Sequence, residues 1–221
     1  MFTGIIQELG SILSVKSLSE GLEITSKAPD ILSELKLGDS IAINGICSTV
    51  AALGKNCFSV QYLKETVKKT NASALTVGDK VNLELSLTPS SRMGGHFVTG
   101  HVDQCAKITN FESKGPWKVL TVSYSEEFRK YLVPKGSICI DGISLTIVDV
   151  SDSSFTCHLI PHTIKNTTLS IKKRHDPVNL EFDILAKYQY NFYFLNKKNN
   201  RPTQSNLKES LLKAGYLNDK I

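Results

Sequence analysis

The sequence predicts an all-β protein: two tandem closed barrels of about six short strands each, followed by a C-terminal α-helix. Three observations carry that prediction. The chain of 221 residues repeats itself at a nearly constant offset of 97. Each copy breaks into short segments, alternating or continuously apolar, separated by turn signals. The tail has no counterpart in the repeat and carries apolar residues at helical spacing.

The repeat is plainest where IAINGICSTV (41–50) returns as ICIDGISLTI (138–147). Asn44 becomes Asp141 and Cys47 becomes Ser144, while Gly45 and Thr49 persist as Gly142 and Thr146. YLKETVKKT (62–70) returns as LIPHTIKNT (159–167), and GDKVNLEL (78–85) as HDPVNLEF (175–182). At the front, FTGIIQ (2–7) returns as VTGHVD (98–103) at an offset of 96. Segments recurring in one order at one spacing imply a tandem duplication. TPSSRMGG (88–95), rich in turn formers, reads as the boundary. The expected organisation is an N-terminal barrel over 1–90, a second over 96–186 and a helical tail over 187–221.

Within each half, VNLEL and VNLEF have period two, which puts Val and Leu on one face and Asn and Glu on the other. Asn44-Gly45 and Asp141-Gly142 are tight-turn signals, because both positions accept positive φ. The Gly-Asp pairs at 38–39 and 78–79 also read as turns. Short helices are expected over 28–35, with Asp30 near the start, and over 125–132, with Ser125 near the start. Asp183 is placed to cap a helix whose apolar residues include Leu185, Tyr188, Phe192 and Leu195. Tyr190, Tyr193 and Phe194 cover much of the remaining circumference, so this helix needs burial against its own barrels or against another subunit. A second short helix is expected from Asn206, with Glu209 in capping-box position and Gly215 as terminator.

Composition narrows the function classes. Charged residues make up 21% of the chain and no run is long or apolar enough to span a membrane. The start, MFTGIIQELG, lacks the pattern of a signal peptide, so a cytoplasmic protein is expected. The net charge of +5 is spread thinly; Lys172-Lys173-Arg174 and Lys197-Lys198 are short clusters without interleaved aromatics, so a nucleic-acid partner is not expected. Five cysteines with no CxxC pair point neither to a disulfide framework nor to zinc. His96 and His101, five apart, would fall on opposite faces of a regular strand and would not share a metal. No metal or cofactor is expected.

Two similar pockets with divergent polar residues suggest two similar ligands handled differently. The polar set is Thr3, Ser40, Cys47, Thr49 and Thr66 in the first half, and His101, Lys135, Ser144, Thr146, His162 and Thr163 in the second. Hydroxyls and backbone amides of this kind suit a polar heterocycle. MFTGII, GDSIAINGICSTV, GGHFVTGHVD, KGSICIDGISLTI and LIPHT, in that order on a duplicated frame, resemble the riboflavin synthase family of the alpha-chain type over residues 1 to about 190. That resemblance implies a Greek-key topology for each barrel. It implies dismutation of two molecules of 6,7-dimethyl-8-ribityllumazine, one giving a four-carbon unit to the other, with riboflavin and 5-amino-6-ribitylamino-uracil as products. It also implies a homotrimer held by C-terminal helices, with active sites between the N-barrel of one subunit and the C-barrel of another. Lumazine synthase is a further partner that the resemblance leaves open.

By motif position, the resemblance places substrate contacts at Gly4, Ile5 and Ile6, at Cys47, Ser48 and Thr49, and at Gln61, Tyr62, Leu63, Lys64, Glu65 and Thr66. In the second half they fall at Gly100, His101 and Val102, at Lys135, at Ser144, Leu145 and Thr146, and at His158, Leu159, Ile160, Pro161, His162 and Thr163. His101 is the candidate base, because imidazole titrates near neutrality. Cys47, Ser144 and Thr146 are the other candidate catalytic groups, positioning the ring or adding to it. Ser48 departs from the family, which commonly has leucine there, as Leu145 retains. His96 reads as structural or interfacial, His175 as a surface turn residue, and His162 equally as a loop histidine or a ligand contact. The competing function is a non-catalytic lumazine or flavin carrier of the same fold. Retention of both polar sets and of the apolar tail favours the enzyme.

Overall fold

The computed structural model describes residues 1–199, 208 and 211–213. Residues 1–186 form one compact unit containing two closed antiparallel barrels. The first is built from β1 (Glu8–Leu18), β2 (Gly21–Lys27), β3 (Ser40–Ile43), β4 (Ile46–Leu53), β5 (Cys57–Leu63) and β6 (Lys80–Leu85). The second is built from β7 (Gln104–Lys114), β8 (Trp117–Ser123), β9 (Ser137–Ile140), β10 (Ile143–Val150), β11 (Ser154–Leu159) and β12 (Pro177–Phe182). Around the first barrel the order is β1-β2-β5-β4-β3-β6, and around the second the corresponding strands follow the same order. A fold of this class matches the expectation from the repeat.

The turn chemistry agrees with the sequence. Asn44 and Gly45 take φ 47° and 76°, and Asp141 and Gly142 take 46° and 81°, joining β3 to β4 and β9 to β10 by two-residue hairpins. Bulges recur at equivalent places in both halves, between Ile12 and Ser14 and between Ile108 and Asn110. Such bulges bend long strands into closed barrels. His175 holds φ 77° where the first half uses Gly78 at 98°.

The expected helices at 28–35 and 125–132 are only 3-10 turns, at Leu32–Glu34 and Glu126–Tyr131. Ser125 holds the N-cap position of the second, but neither its side chain nor that of Asp30 makes a capping hydrogen bond. The amides of Asp30 and Ile31 are instead accepted by the Glu8 carboxylate, at 3.1 and 3.0 Å. Two short helices that the sequence reading missed follow the fifth strand of each barrel, α1 (Lys64–Lys69) and α2 (Pro161–Lys165). Asp183 does cap α3 (Ile184–Asn199), accepting from the Leu185 amide at 2.9 Å. Asn206, Glu209 and Gly215, on which a second tail helix was expected, lie outside the described residues.

Each barrel is filled by its inward-facing apolar residues, among them Ile24, Phe58, Val60 and Leu83 in the first and Ile108, Leu120, Phe155 and Phe182 in the second. One difference between the two interiors is a coupled, polar one. Ser48 is buried and its hydroxyl meets the Tyr62 hydroxyl at 2.7 Å, where the second barrel packs Leu145 and Leu159. A small polar residue beside a large phenol thus stands in for two leucines. Ser48→Leu alone is expected to overpack this barrel and destabilise it by about 1–3 kcal/mol. Adding Tyr62→Leu should recover most of that loss, as read from denaturant midpoints.

The polar positions of VNLEL and VNLEF do not face water. Asn82, Glu84, Asn179 and Glu181 are all buried, because the face opposite each barrel's interior is covered by the other half. The contacts are reciprocal, as an approximate two-fold relation would generate. Asn82 Nδ2 donates to the Asp141 carbonyl at 2.8 Å, and Asn179 Nδ2 donates to the Asn44 carbonyl at 2.9 Å. The amide oxygens accept from Thr168 N at 2.8 Å and from Asn71 N at 2.7 Å. Every buried amide group in this seam is therefore paired, which locks the barrels in one register.

Symmetry breaks at Asp141. Its Oδ1 accepts from Asn71 Nδ2 and Asn179 N, and its Oδ2 lies 3.3 Å from Lys172 Nζ, an ion-pair contact poorly aligned for a hydrogen bond. The first half has Asn44 and Leu75 at these two positions.

Candidate functional site

Between residues 46 and 49, β4 pairs only with β3; its pairing with β5 begins at Val50. The same gap recurs in β10 before Ile147. Each gap leaves an unpaired strand edge, which must find hydrogen-bond partners if buried. The partners come from the other half of the chain. Cys47 N donates to the Gly100 carbonyl, and Ser144 N donates to the Gly4 carbonyl, both at 2.8 Å. The TG segments that supply these carbonyls cross each other through a bridge between Phe2 and Val98.

A buried glutamate anchors each segment. Glu84 accepts from Thr3 N, Thr3 Oγ1 and Gly4 N, and Glu181 accepts from Thr99 N, Thr99 Oγ1 and Gly100 N. Burial pushes the Glu84 carboxyl above the usual range, against the pull of the hydrogen bonds from Thr3 and Gly4. Glycine is required where each segment passes the strand. A Cβ on Gly4 would meet Ser144 Cβ at 2.6 Å, one on Gly100 would meet Cys47 Cβ at 2.6 Å, and both positions hold φ 79°.

Two depressions result, each assembled from both halves. The first, of about 190 Å³, is lined by Ile46, Cys47, Glu65, Thr66, Lys69 and Thr70 of one barrel and by Gly100, His101 and Val102. The second, of about 100 Å³, is lined by Ile143, Ser144, His162, Thr163, Asn166 and Thr167 and by Gly4, Ile5 and Ile6. The sequence grouped His101 with Ser144 and Gly4 with Cys47, by position along the chain. The structure exchanges them, because each TG segment completes the opposite barrel.

The remaining candidate residues divide by strand alternation. Tyr62, Leu145 and Leu159 point into the barrel interiors, as Ser48 does, so their side chains are not on the depressions. Burial raises the Tyr62 phenol well above its ordinary range. Thr49 and Thr146 are exposed on the outer face, two residues beyond Cys47 and Ser144. Gln61 and Lys64 turn to Glu23 and Glu20, at 3.1 and 2.9 Å. Leu63, His158, Ile160 and Pro161 are exposed and line neither depression. Lys135 is exposed at φ 68°, where the first half uses Gly38. Thr3 is buried with its hydroxyl committed to Glu84.

The sequence reading missed Lys69, Thr70, Asn166 and Thr167. Their signal was present, since KKT and KNT close the paired motifs around α1 and α2. It also set aside His96, whose Nδ1 lies 2.7 Å from Ser144 Oγ. Burial lowers this imidazole below its ordinary range, with the Asp183 carboxylate acting in the opposite direction. His96 and His101 sit on no shared strand; His101 lines the first depression, and His96, earlier in the chain, stands against Ser144 of the second.

Comparison with known proteins agrees with this geometry. Residues 3–86 and 99–183 each match the lumazine binding domain. The chain is 45% identical to the riboflavin synthase of Bacillus subtilis, over 96% of this chain and 98% of that protein. It is 42% identical to that of Actinobacillus pleuropneumoniae, over 98% and 100% respectively, and 40% identical to that of Schizosaccharomyces pombe, over 85% and 91%. Among solved structures, LumP complexed with 6,7-dimethyl-8-(1'-D-ribityl) lumazine superposes with a TM-score of 0.75 at 23% identity, over 82% of this chain and 99% of that one, a likeness of fold. With the matched domain present in both halves and the riboflavin synthases aligning along nearly the whole length, the chain belongs to the riboflavin synthase family.

Proposed function

We propose that this chain is a riboflavin synthase, a transferase that converts two molecules of 6,7-dimethyl-8-ribityllumazine into riboflavin and 5-amino-6-ribitylamino-uracil. The observation that carries the reading is the pair of cross-built depressions, alike in frame and different in their polar groups. Two copies of one substrate need similar recesses. Opposite roles, four-carbon donor and acceptor, need different ones.

In this reading the methyl group at ring position 7 loses a proton and the charge spreads into the heterocycle. His101, exposed beside Cys47, is the base in reach of the first depression. Cys47, Ser144 and Thr146 orient the rings by hydrogen bonding, and Lys135 anchors a ribityl hydroxyl or ring carbonyl. That lysine keeps a left-handed backbone at a cost of about 1–2 kcal/mol, which supports a role beyond the turn. Holding two rings in reacting geometry supplies about 7–11 kcal/mol of the barrier reduction.

Both depressions are smaller than the roughly 300–1,000 Å³ usual for a ligand pocket, which fits half-sites completed by another subunit. Leu185, Tyr188, Phe192 and Leu195 of α3 are exposed and supply an apolar surface for a homotrimer. The protein is read as cytoplasmic; no helix among the described residues is long and apolar enough to cross a membrane. Association with lumazine synthase belongs to the same reading, and co-elution of the two proteins tests it.

The experiment is to incubate the purified protein with the lumazine alone and quantify both products by chromatography. Riboflavin and the pyrimidine in equal amounts are expected. Tight binding without conversion would make the protein a carrier. His101→Ala is expected to lower kcat by about 10²–10⁴-fold with a smaller effect on lumazine affinity. Equal losses in both would remove its role as base.

A further inference from the structure

We propose that His96 is the positioning residue of the second depression: its Nδ1 accepts the Ser144 hydroxyl proton and so fixes the Ser144 oxygen as a hydrogen-bond acceptor toward the bound heterocycle. This role rests on the reading that the depression holds a lumazine ring.

A free serine hydroxyl rotates among staggered positions and presents a donor or an acceptor to whatever approaches. His96 Nδ1 and the Ser144 hydroxyl share one strong bond at 2.7 Å; in the tautomer that carries its proton on the buried, unpartnered Nε2, the hydroxyl is the donor and its lone pairs are left for the depression it lines. The approach is built into the backbone. His96 N donates to the Thr3 carbonyl at 3.1 Å. A Cβ on Gly95 would meet that carbonyl at 2.1 Å and Ser144 Oγ at 2.9 Å. Glycine at 95 is thus the condition for His96 to reach the serine. Burial favours the neutral imidazole, the form able to accept. The His96 ring does not line the depression, so it acts through Ser144.

The first depression has no such arrangement. Among the described residues no hydrogen bond reaches the Cys47 thiol, and no imidazole stands against it as His96 stands against Ser144. The substitution of Cys47 by Ser144 between the halves is therefore accompanied, among the described residues, by a hydrogen-bonded imidazole on one side alone. Serine with an oriented proton is a defined acceptor; an unpartnered thiol is not. This places the chemical difference between the two recesses at one atom pair.

The test compares wild type with His96→Ala and His96→Asn, each also in a Ser144→Ala background, measuring kcat and the lumazine dissociation constant separately. Asparagine can place a polar atom where Nδ1 stands, whereas alanine cannot. His96→Ala is expected to lower kcat about tenfold or more, the worth of one buried hydrogen bond, with affinity changed less than about twofold. His96→Asn should recover most of that loss. In the Ser144→Ala background, His96→Ala should change kcat by no more than about twofold. Equal losses of kcat and affinity, equal impairment by alanine and asparagine, or an undiminished effect without the serine would each overturn the role. A wild type that converts no lumazine would contradict the functional reading, and this role with it. A wild type that converts while the variants fail to separate would contradict this role alone.

Discussion

Replacing Lys172 by leucine is expected to cost about 3–5 kcal/mol of stability, because it strips a buried carboxylate of the cation paired with it. Asp141 is fully buried in the seam between the barrels, and Lys172 is mostly buried beside it. The other half of the protein shows the remedy. Asn44 and Leu75 fill the equivalent positions with no charge at all. Asp141→Asn combined with Lys172→Leu copies that solution. It is expected to restore stability to within about 1 kcal/mol of wild type or to exceed it, since buried ion pairs are often matched by uncharged replacements. Urea unfolding of the wild type and the two variants decides the matter; a double variant as unstable as Lys172→Leu would rule this out.

The pH dependence follows the same pair. Burial raises the Asp141 carboxyl above its ordinary range, and Lys172 pulls it back only in part. A group whose folded pKa is raised binds its proton more tightly in the native state. Its contribution to stability is therefore complete below the unfolded pKa and declines as pH rises through the folded one. The double variant should lack this decline.

Gly4→Ala and Gly100→Ala are expected each to abolish one depression and to lower turnover about a hundredfold or more, the effect of displacing a positioned group by an ångström. The added methyl would meet backbone and Cβ atoms of Ser144 or Cys47 between 2.6 and 3.0 Å away, and those atoms belong to a paired strand. The TG segment lies outside the strand ladder and must give way instead, straining its bonds to the glutamate and to the opposite strand. An alanine at φ 79° adds about 1–2 kcal/mol of backbone strain. Turnover within a few-fold of wild type in either variant would show that the segment does not shape the site.

Much of this was legible in the sequence for identifiable reasons. A duplicated chain writes its fold twice, so the hairpins at Asn44-Gly45 and Asp141-Gly142 each corroborated the other. Asp183 at the head of an apolar-periodic run marked the start of α3. Alternation, however, separates two faces of a strand without saying what covers the second. Asn82, Glu84, Asn179 and Glu181 read as outward, and outward here means the other barrel. The exchange of the TG segments was hidden for a related reason: an offset aligns equivalent positions but does not say which copy touches which. Ser48 looked like a change at the site until Tyr62 was seen beside it. His96 was passed over because a loop carries no period from which to infer where a side chain points.

On the proposed function, each chain contributes two cross-built recesses for one kind of ring. Calorimetric titration with 8-ribityllumazine, the same ring system without the methyl groups and so without a methyl proton to lose, counts them in the absence of turnover. Two molecules bound per chain in the wild type, and one in each of Gly4→Ala and Gly100→Ala, are the expected results. A single molecule per wild-type chain, or glycine variants that still bind two, would contradict it.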